Sequence, residues 1–210
     1  MKKIIFVSTG RCGTKKIHKL FENKSPYILT KHQMPFSRLA NVVGNIMYTF
    51  RESEKIKDKL YSFIIGRYSS NKHFICTDPL TAMILPKRII LDENTMIVHI
   101  VRDKNGFAQS FYKITRNRLK SFMAHAFIPF WQVGILPLEN ILNKKIIDKY
   151  MELSDIKNIY FYNKYSMNAN YRKVLMEDIF MTDVLSEIVE SFLGEKIYFT
   201  TKELTEKINY

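Results

Sequence analysis

The sequence predicts an α/β fold, a central parallel sheet with helices on both faces. Three observations predict it. Short apolar, β-branched runs alternate with segments of helical period along the chain. The central runs, Ile4–Val7 and Thr95–Val101, are almost continuously apolar, as strands covered on both faces require. The composition is that of an ordinary globular protein, with 46% apolar and 25% charged residues in 210. That length suffices for one domain with its own core, so residues 1–210 are expected to form a single domain.

"KIIFVS" is β-branched and apolar and ends at Thr9-Gly10, which makes it the first strand. Ile17, Leu20 and Phe21 then recur at helical spacing. "PYILT", Pro26–Thr30, is a short second strand. Residues 37–65 read as helix, broken near Gly44 or Arg51. "HFICTD", His73–Asp78, is a third strand that Pro79 ends. Leu80–Leu91 is helical with an interruption at Pro86, and Thr95–Val101 is the clearest buried strand. Phe107, Ala108, Phe111 and Tyr112 define the next helix. Residues 121–136 are mixed, with Pro129, Trp131 and Gly134, and are expected to loop over the site. Pro137–Leu153 reads as helix, "NIYFYN" (Asn158–Asn163) as a strand, and "KVLMEDI" as a strand running into a turn. Val184, Leu185, Ile188, Val189, Phe192 and Leu193 form a well-patterned helix that Gly194 caps.

Composition also narrows the function. Seven Gly and six Pro are too few for a linker-rich or low-complexity chain. Ile4–Val7 is too short for a signal-peptide core, and no run approaches a membrane-spanning length. Cys12 and Cys76 do not suggest a disulfide framework, so a soluble, cytoplasmic protein is expected. The net charge of +13 favours an anionic ligand, an anionic polymer or a membrane surface, but a dispersed lysine-rich surface explains it equally well. The 15 Phe and 12 Tyr follow core periodicity instead of interleaving with basic residues, so nucleic acid is not the expected partner.

In a parallel sheet, ligands sit beyond the C-terminal ends of the strands, so the loops there carry the chemistry. The first is "STGRCGTKK". Gly10 and Gly13 let the backbone approach a ligand closely, and the following helix offers unpaired amides and the positive end of its dipole. Arg11, Lys15 and Lys16 add charge and Thr14 a hydroxyl. The loop is not a Walker sequence, which spaces its glycines further apart and follows with Gly-Lys-Ser/Thr. The fourth strand ends at Arg102, and Ser110 lies on the next helix, placed to pinch an anion with it.

These segments resemble the sulfotransferase family. "STGRCGTKK" is similar to that family's 5′-phosphosulfate loop, commonly Lys/Arg-Ser-Gly-Thr. "VRDKNGFAQSFY" resembles its 3′-phosphate motif, "VLMEDIF" its Tyr-Glu-Asp-Leu segment, and "FLG" at Phe192–Gly194 a further match. The four fall in order across residues 4 to 194. The resemblance implies a P-loop NTPase-like three-layer sandwich and a donor, 3′-phosphoadenosine 5′-phosphosulfate (PAPS), leaving as PAP, with no metal. It implies that Arg11, Cys12, Gly13, Thr14 and Lys15 hold the 5′-phosphosulfate, and Arg102 and Ser110 the 3′-phosphate. The acceptor would be a hydroxyl, with a carbohydrate expected. Cys12 departs from the usual Ser, Lys15 and Lys16 depart from the common following residues, and the C-terminal Arg-Lys-Gly segment of cytosolic members is absent.

Transfer to a hydroxyl needs a general base. His32 follows the second strand, where several carbohydrate sulfotransferases carry a catalytic Glu. Asp78 follows the third, where cytosolic members carry a catalytic His. His32 is preferred, because Asp78 would need burial to raise its pKa; Arg11 would stabilise the leaving phosphate. Lys31, Arg116 and Arg118 are candidate rim residues, and Trp131 could stack on a sugar. His99 reads as a packed core residue. Three alternatives stand beside this one. A cysteine phosphatase would use Cys12, whose pKa the helix start would lower, but needs an Arg where His18 stands. A divergent nucleotide kinase would need a Walker Lys. A non-catalytic binder of anionic polymers would rest on charge alone.

Overall fold

The computed structural model describes residues 1–22, 24–68, 71–116 and 146–206. Five strands form one sheet: β1 (Lys3–Ser8), β2 (Ile28–Lys31), β3 (His73–Cys76), β4 (Thr95–Val101) and β5 (Tyr171–Leu175). Their order is β2-β3-β1-β4-β5, and every neighbouring pair is parallel. β1 lies at the centre. It pairs with β4 from Lys3↔Thr95 to Ser8↔Ile100, and with β3 from Lys3↔Phe74 to Ile5↔Cys76.

Strand side chains alternate between faces, so β1 feeds both layers. Ile4 and Phe6 enter one, Ile5 and Val7 the other, and all four are fully buried. The first layer holds α1 (Thr14–Phe21), α7 (Met176–Met181) and α8 (Val184–Leu193). Here Ile17, Leu20, Phe21, Leu185, Ile188, Val189 and Phe192 pack on Ile4, Phe6, Val98 and Ile100. Gly194 ends α8 in the left-handed region, as predicted. The opposite layer holds α2 (Ser37–Thr49), α3 (Glu54–Ile64), a 3₁₀ segment (Pro79–Ile84), the short α4 (Lys87–Ile90) and α6 (Ile146–Tyr165). The predicted three-layer α/β arrangement is the observed one.

The helix break expected near Gly44 or Arg51 falls after Thr49. Gly44 stays inside α2, where a Cβ would come within 2.5 Å of Met83 Cβ, so its missing side chain lets α2 lie against the 3₁₀ segment. The prediction fails at Asn158–Asn163. These residues belong to α6, not to a strand. Their aromatic and β-branched content favours a strand, but the buried positions Tyr150, Leu153, Ser154, Lys157, Phe161 and Tyr165 fall at helical spacing. Two polar residues sit in that stripe, while Ile159 and Tyr162 face solvent. The apolar pattern is therefore scrambled, and tertiary packing overrides local propensity. A Glu52–Lys57 ion pair, with Tyr160 donating to Glu52 at 2.6 Å, ties the start of α3 to α6.

The connections place the site. β1 leads through α1 on one face to β2, whereas α5 (Lys104–Arg116), which follows β4, packs through Phe107, Ala108 and Phe111 on Tyr150 and Leu153 of α6, in the other layer. The chain thus leaves the adjacent strands β1 and β4 towards opposite faces. That divergence opens a crevice beyond their C-terminal ends.

Candidate anion-binding and catalytic site

The loop Thr9–Gly13 fills the β1 side of this crevice. Its backbone turns through the left-handed region at Gly10 (φ 91°), Arg11 (φ 58°) and Gly13 (φ 73°). The Ser8 hydroxyl accepts from the Gly10 amide at 3.2 Å. α1 then begins with no side-chain cap, its first carbonyl acceptor being Gly13 O, which takes the amides of Lys16 (2.8 Å) and Ile17 (3.0 Å). An uncapped helix start behind a tightly curled glycine loop is the geometry of an anion cradle. Gly13 has a second reason to be glycine. A Cβ there would lie 2.5 Å from Cε2 of Phe180, whose ring closes over the loop from α7. Lys16 sits 4.7 Å over the same ring and also donates to the carbonyl of Leu204. Burial lowers its pKa.

Arg102 and Ser110 close the β4 side. Arg102 donates to the carbonyl of Arg11 at 2.8 Å, and Arg11 Nε donates to Ser110 Oγ at 3.2 Å. The two segments singled out at the ends of β1 and β4 are therefore in direct contact through two hydrogen bonds. Asp103 turns the chain into α5, accepting from Gly106 N at 2.6 Å through its carboxylate and from Phe107 N at 2.8 Å through its carbonyl.

Cys12 behaves otherwise than the helix-start argument expects. Its side chain is fully buried in the core of the α1 layer, with Sγ donating to Gly10 O at 3.1 Å. Burial pushes its thiol up, outweighing the lowering effect of Thr9, Ser8 and Arg102. It is a packing residue with a backbone in the cradle, which removes the nucleophile that a cysteine phosphatase would need. Thr14 is buried too, while Lys15 and Lys16 are half-buried.

His32 follows β2 at the same end of the sheet. Its Nδ1 lies 2.8 Å from the carbonyl of Thr77, at the end of β3. A carbonyl only accepts, so Nδ1 carries the proton and Nε2 is the basic nitrogen. The ring of His18, one turn into α1 from Thr14, stacks on His32 at 5.9 Å, and its Nδ1 meets Thr30 Oγ1 at 3.0 Å. Burial holds the His18 pKa below the usual histidine range, helped by His32 and Lys31 and opposed by Glu22. Sequence reasoning passed over His18. Its only signal was a position four residues after Thr14 on the loop-bearing helix.

Asp78 is fully buried, and its carboxylate is occupied. Oδ2 accepts from Met34 N at 2.9 Å and Oδ1 from Leu80 N at 3.0 Å, capping the 3₁₀ segment. Ser37 also bonds to it. Burial raises its pKa in spite of these donors. The loop it holds, between β2 and α2, has two non-glycine residues in the left-handed region, Gln33 (φ 50°) and Phe36 (φ 66°). His99 is, as expected, a core residue, between Tyr171 Oη (2.8 Å) and Asn158 Oδ1 (3.0 Å). Residues 121–136 with Trp131, Arg118, and the 137–145 part of the predicted helix lie outside the described residues.

Fold and site together define a three-layer α/β protein with a glycine loop and a strand-end arginine meeting at the switch of its sheet. No family profile and no curated protein matches the chain. Among solved structures it is similar to a sulfotransferase from Alicyclobacillus acidocaldarius, at 11% identity and a TM-score of 0.47, covering 100% of this chain and 87% of that one. Among the described residues no helix is long and apolar enough to cross a membrane, and no group of three or more His, Cys, Asp or Glu could hold a metal ion.

Proposed function

We propose that this protein is a sulfotransferase that moves a sulfuryl group from PAPS to an acceptor hydroxyl, with a carbohydrate as the expected acceptor class. The observation that carries the reading is the link Arg102–Arg11–Ser110 across the β1/β4 crevice. Phosphate groups at the 3′ and 5′ positions of one ribose call for two cationic subsites side by side, and two arginines and a serine joined in this way support such a pair. The cradle of Arg11, Gly13, Thr14 and Lys15, with Cys12 contributing backbone only, would hold the phosphosulfate. Arg102 and Ser110 would hold the 3′-phosphate. The donor, when bound, supplies an activated sulfuryl group on a phosphate leaving group.

The chain's own groups then have distinct tasks. The Arg11 guanidinium stabilises negative charge beside the helix start, where fixed dipoles need no reorganisation. His32 takes the acceptor proton at Nε2, because Thr77 O keeps the other proton at Nδ1. Asp78, the second candidate base, braces the His32 loop through the Met34 amide.

Thermal stabilisation by adenosine 3′,5′-bisphosphate tests the donor site, with ATP and 5′-AMP as controls. At about 100 times its Kd a ligand adds roughly 2.7 kcal/mol, or about 5–10 °C for a chain of this length. The expected result is a shift with the bisphosphate that Arg102→Ala abolishes. A shift with ATP that magnesium enhances would replace this reading with a kinase.

A further inference from the structure

Helix α2 carries polar side chains on its buried face, beside the core residues Ala40 and Met47, and exposed apolar ones on the other. Its buried face carries Ser37, Asn41 and Asn45, with Asn45 Nδ2 donating to the Asn41 carbonyl at 2.8 Å and Ser37 bonded to Asp78. On its outward side Leu39, Ile46 and the following Phe50, at i, i+7 and i+11, lie along one helical stripe, at whose edge the half-buried Val43 packs on the core. Leu39, Ile46 and Phe50 are exposed, Phe50 by 77%. Phe36 extends the stripe at its N-terminal end. It is 54% exposed, stands in the left-handed region, and contacts the exposed ring of Phe63 on α3 at 5.2 Å. Soluble proteins rarely leave such a contiguous apolar stripe in water, so it marks an interaction surface.

The charge around it is of one sign. From Lys31 to Arg51 the chain has three cations, Lys31, Arg38 and Arg51, and neither Asp nor Glu. Arg67, in the 3₁₀ turn after α3 (Gly66–Tyr68), stacks 4.8 Å over Phe63 and donates to its carbonyl at 2.7 Å, and the exposed Lys59 lies one turn before Phe63. The next acids along the chain, Glu52 and Glu54, are held by Lys57, so an apolar stripe one helix long, edged by Arg38, Arg51, Lys59 and Arg67 on a protein of net charge +13, complements an anionic lipid surface.

We infer that α2 seats this protein on anionic membranes, with Phe36, Leu39, Ile46 and Phe50 entering the bilayer interface and Arg38, Arg51 and Arg67 contacting lipid headgroups. The binding itself is independent of the reaction. Resting on the sulfotransferase reading, it also brings His32, four residues before Phe36, to the membrane side, where a lipid-carried acceptor would arrive.

Vesicle flotation tests the inference, comparing pure phosphatidylcholine with an equal mixture of phosphatidylcholine and phosphatidylglycerol. Wild-type protein is expected to float with the anionic vesicles only. The variant Leu39→Ser/Ile46→Ser/Phe50→Ser should partition at least about tenfold more weakly, a difference of about 1.4 kcal/mol, with an unchanged circular dichroism spectrum and Tm because all three are exposed. Arg38→Glu/Arg51→Glu should lose the preference for anionic lipid. Failure to float, or equal partitioning of the serine variant, overturns the inference. So does binding that salt abolishes and the serine variant retains, which would be undirected charge. Self-association in place of flotation, lost in the serine variant, would assign the stripe to a second copy of the chain. Loss of the bisphosphate shift with flotation intact would strike the sulfotransferase reading alone.

Discussion

The imidazole rings of His18 and His32 stack 5.9 Å apart, joining the helix behind the glycine loop to the loop after β2. His32 is thereby fixed on two sides, by this ring and by the Thr77 carbonyl at 2.8 Å. Replacing it with Ala is expected to lower turnover by about 10²–10⁴, the usual worth of a positioned base, and to leave the bisphosphate-induced shift in Tm in place. Asp78→Ala should do the reverse. It leaves the buried Met34 amide and the half-buried Leu80 amide without their acceptor, at a cost of about 1–3 kcal/mol for the buried one, and retains turnover well below the lowered Tm. Turnover lost in Asp78→Ala at unchanged stability would transfer the proton-accepting role to Asp78.

Gly13 carries two independent constraints, its positive φ of 73° and the Phe180 ring 2.5 Å from where a Cβ would stand. Gly13→Ala is expected to destabilise by about 2–4 kcal/mol, combining roughly 1 kcal/mol of backbone strain with about 1–3 kcal/mol of overpacking. In a double variant with Phe180→Leu the overpacking cost should largely disappear and the backbone cost remain. Denaturant melts of the single and double variants would measure the split, and full recovery in the double variant would show that the backbone adapts without strain.

Acid should weaken the fold through His99. Burial pushes its pKa down to about 4, against Asn158, whose bond raises it. Its folded value lies below its unfolded one, so the unfolded chain takes up the proton first as pH falls. Stability is therefore full above the ordinary histidine pKa, near 6.5, and declines down to about pH 4, by roughly 3 kcal/mol at 1.36 kcal/mol per unit. Burial of His18 acts in the same direction. Urea midpoints across this range would read the slope, and His99→Gln should flatten it. An unaltered slope in that variant would assign the acid sensitivity to other groups.

Lys157 lies in the buried stripe of α6 beside Asn45, Met83, Leu153 and Tyr160, and its ammonium meets no hydrogen-bond or ion-pair partner among the described residues. Burial lowers its pKa to about 7. The unfolded lysine keeps its proton to a much higher pH, so stability should rise as pH climbs from about 7 to about 10, and the penalty is fully present below that range. Lys157→Met is expected to stabilise the protein at neutral pH by on the order of 2–4 kcal/mol and to remove this alkaline rise. A lower Tm in Lys157→Met would mean that the ammonium is held by a favourable contact.

The sequence by itself determined the frame and the two segments that meet at the candidate site. β1, its glycine loop and α1, and β4 with Arg102 and Ser110, were legible because each is a local pattern: an apolar run, a turn, and a helical period close along the chain. Three other features needed the tertiary structure. Asn158–Asn163 has the composition of a strand, yet packing folds it into α6, where Asn158 reaches His99. The stacking of His18 on His32, and the contact of Arg11 with Ser110, join residues whose spacing along the chain carries no signal. The exposed apolar side of α2 was hidden for a similar reason, since periodicity does not show which of two partly apolar sides of a helix meets the core. The direction is set by Asp78 drawing Ser37 inward and by the close approach of Gly44 to Met83, which turn Asn41 and Asn45 to the core with Ala40 and Met47 and leave Leu39 and Ile46 in solvent.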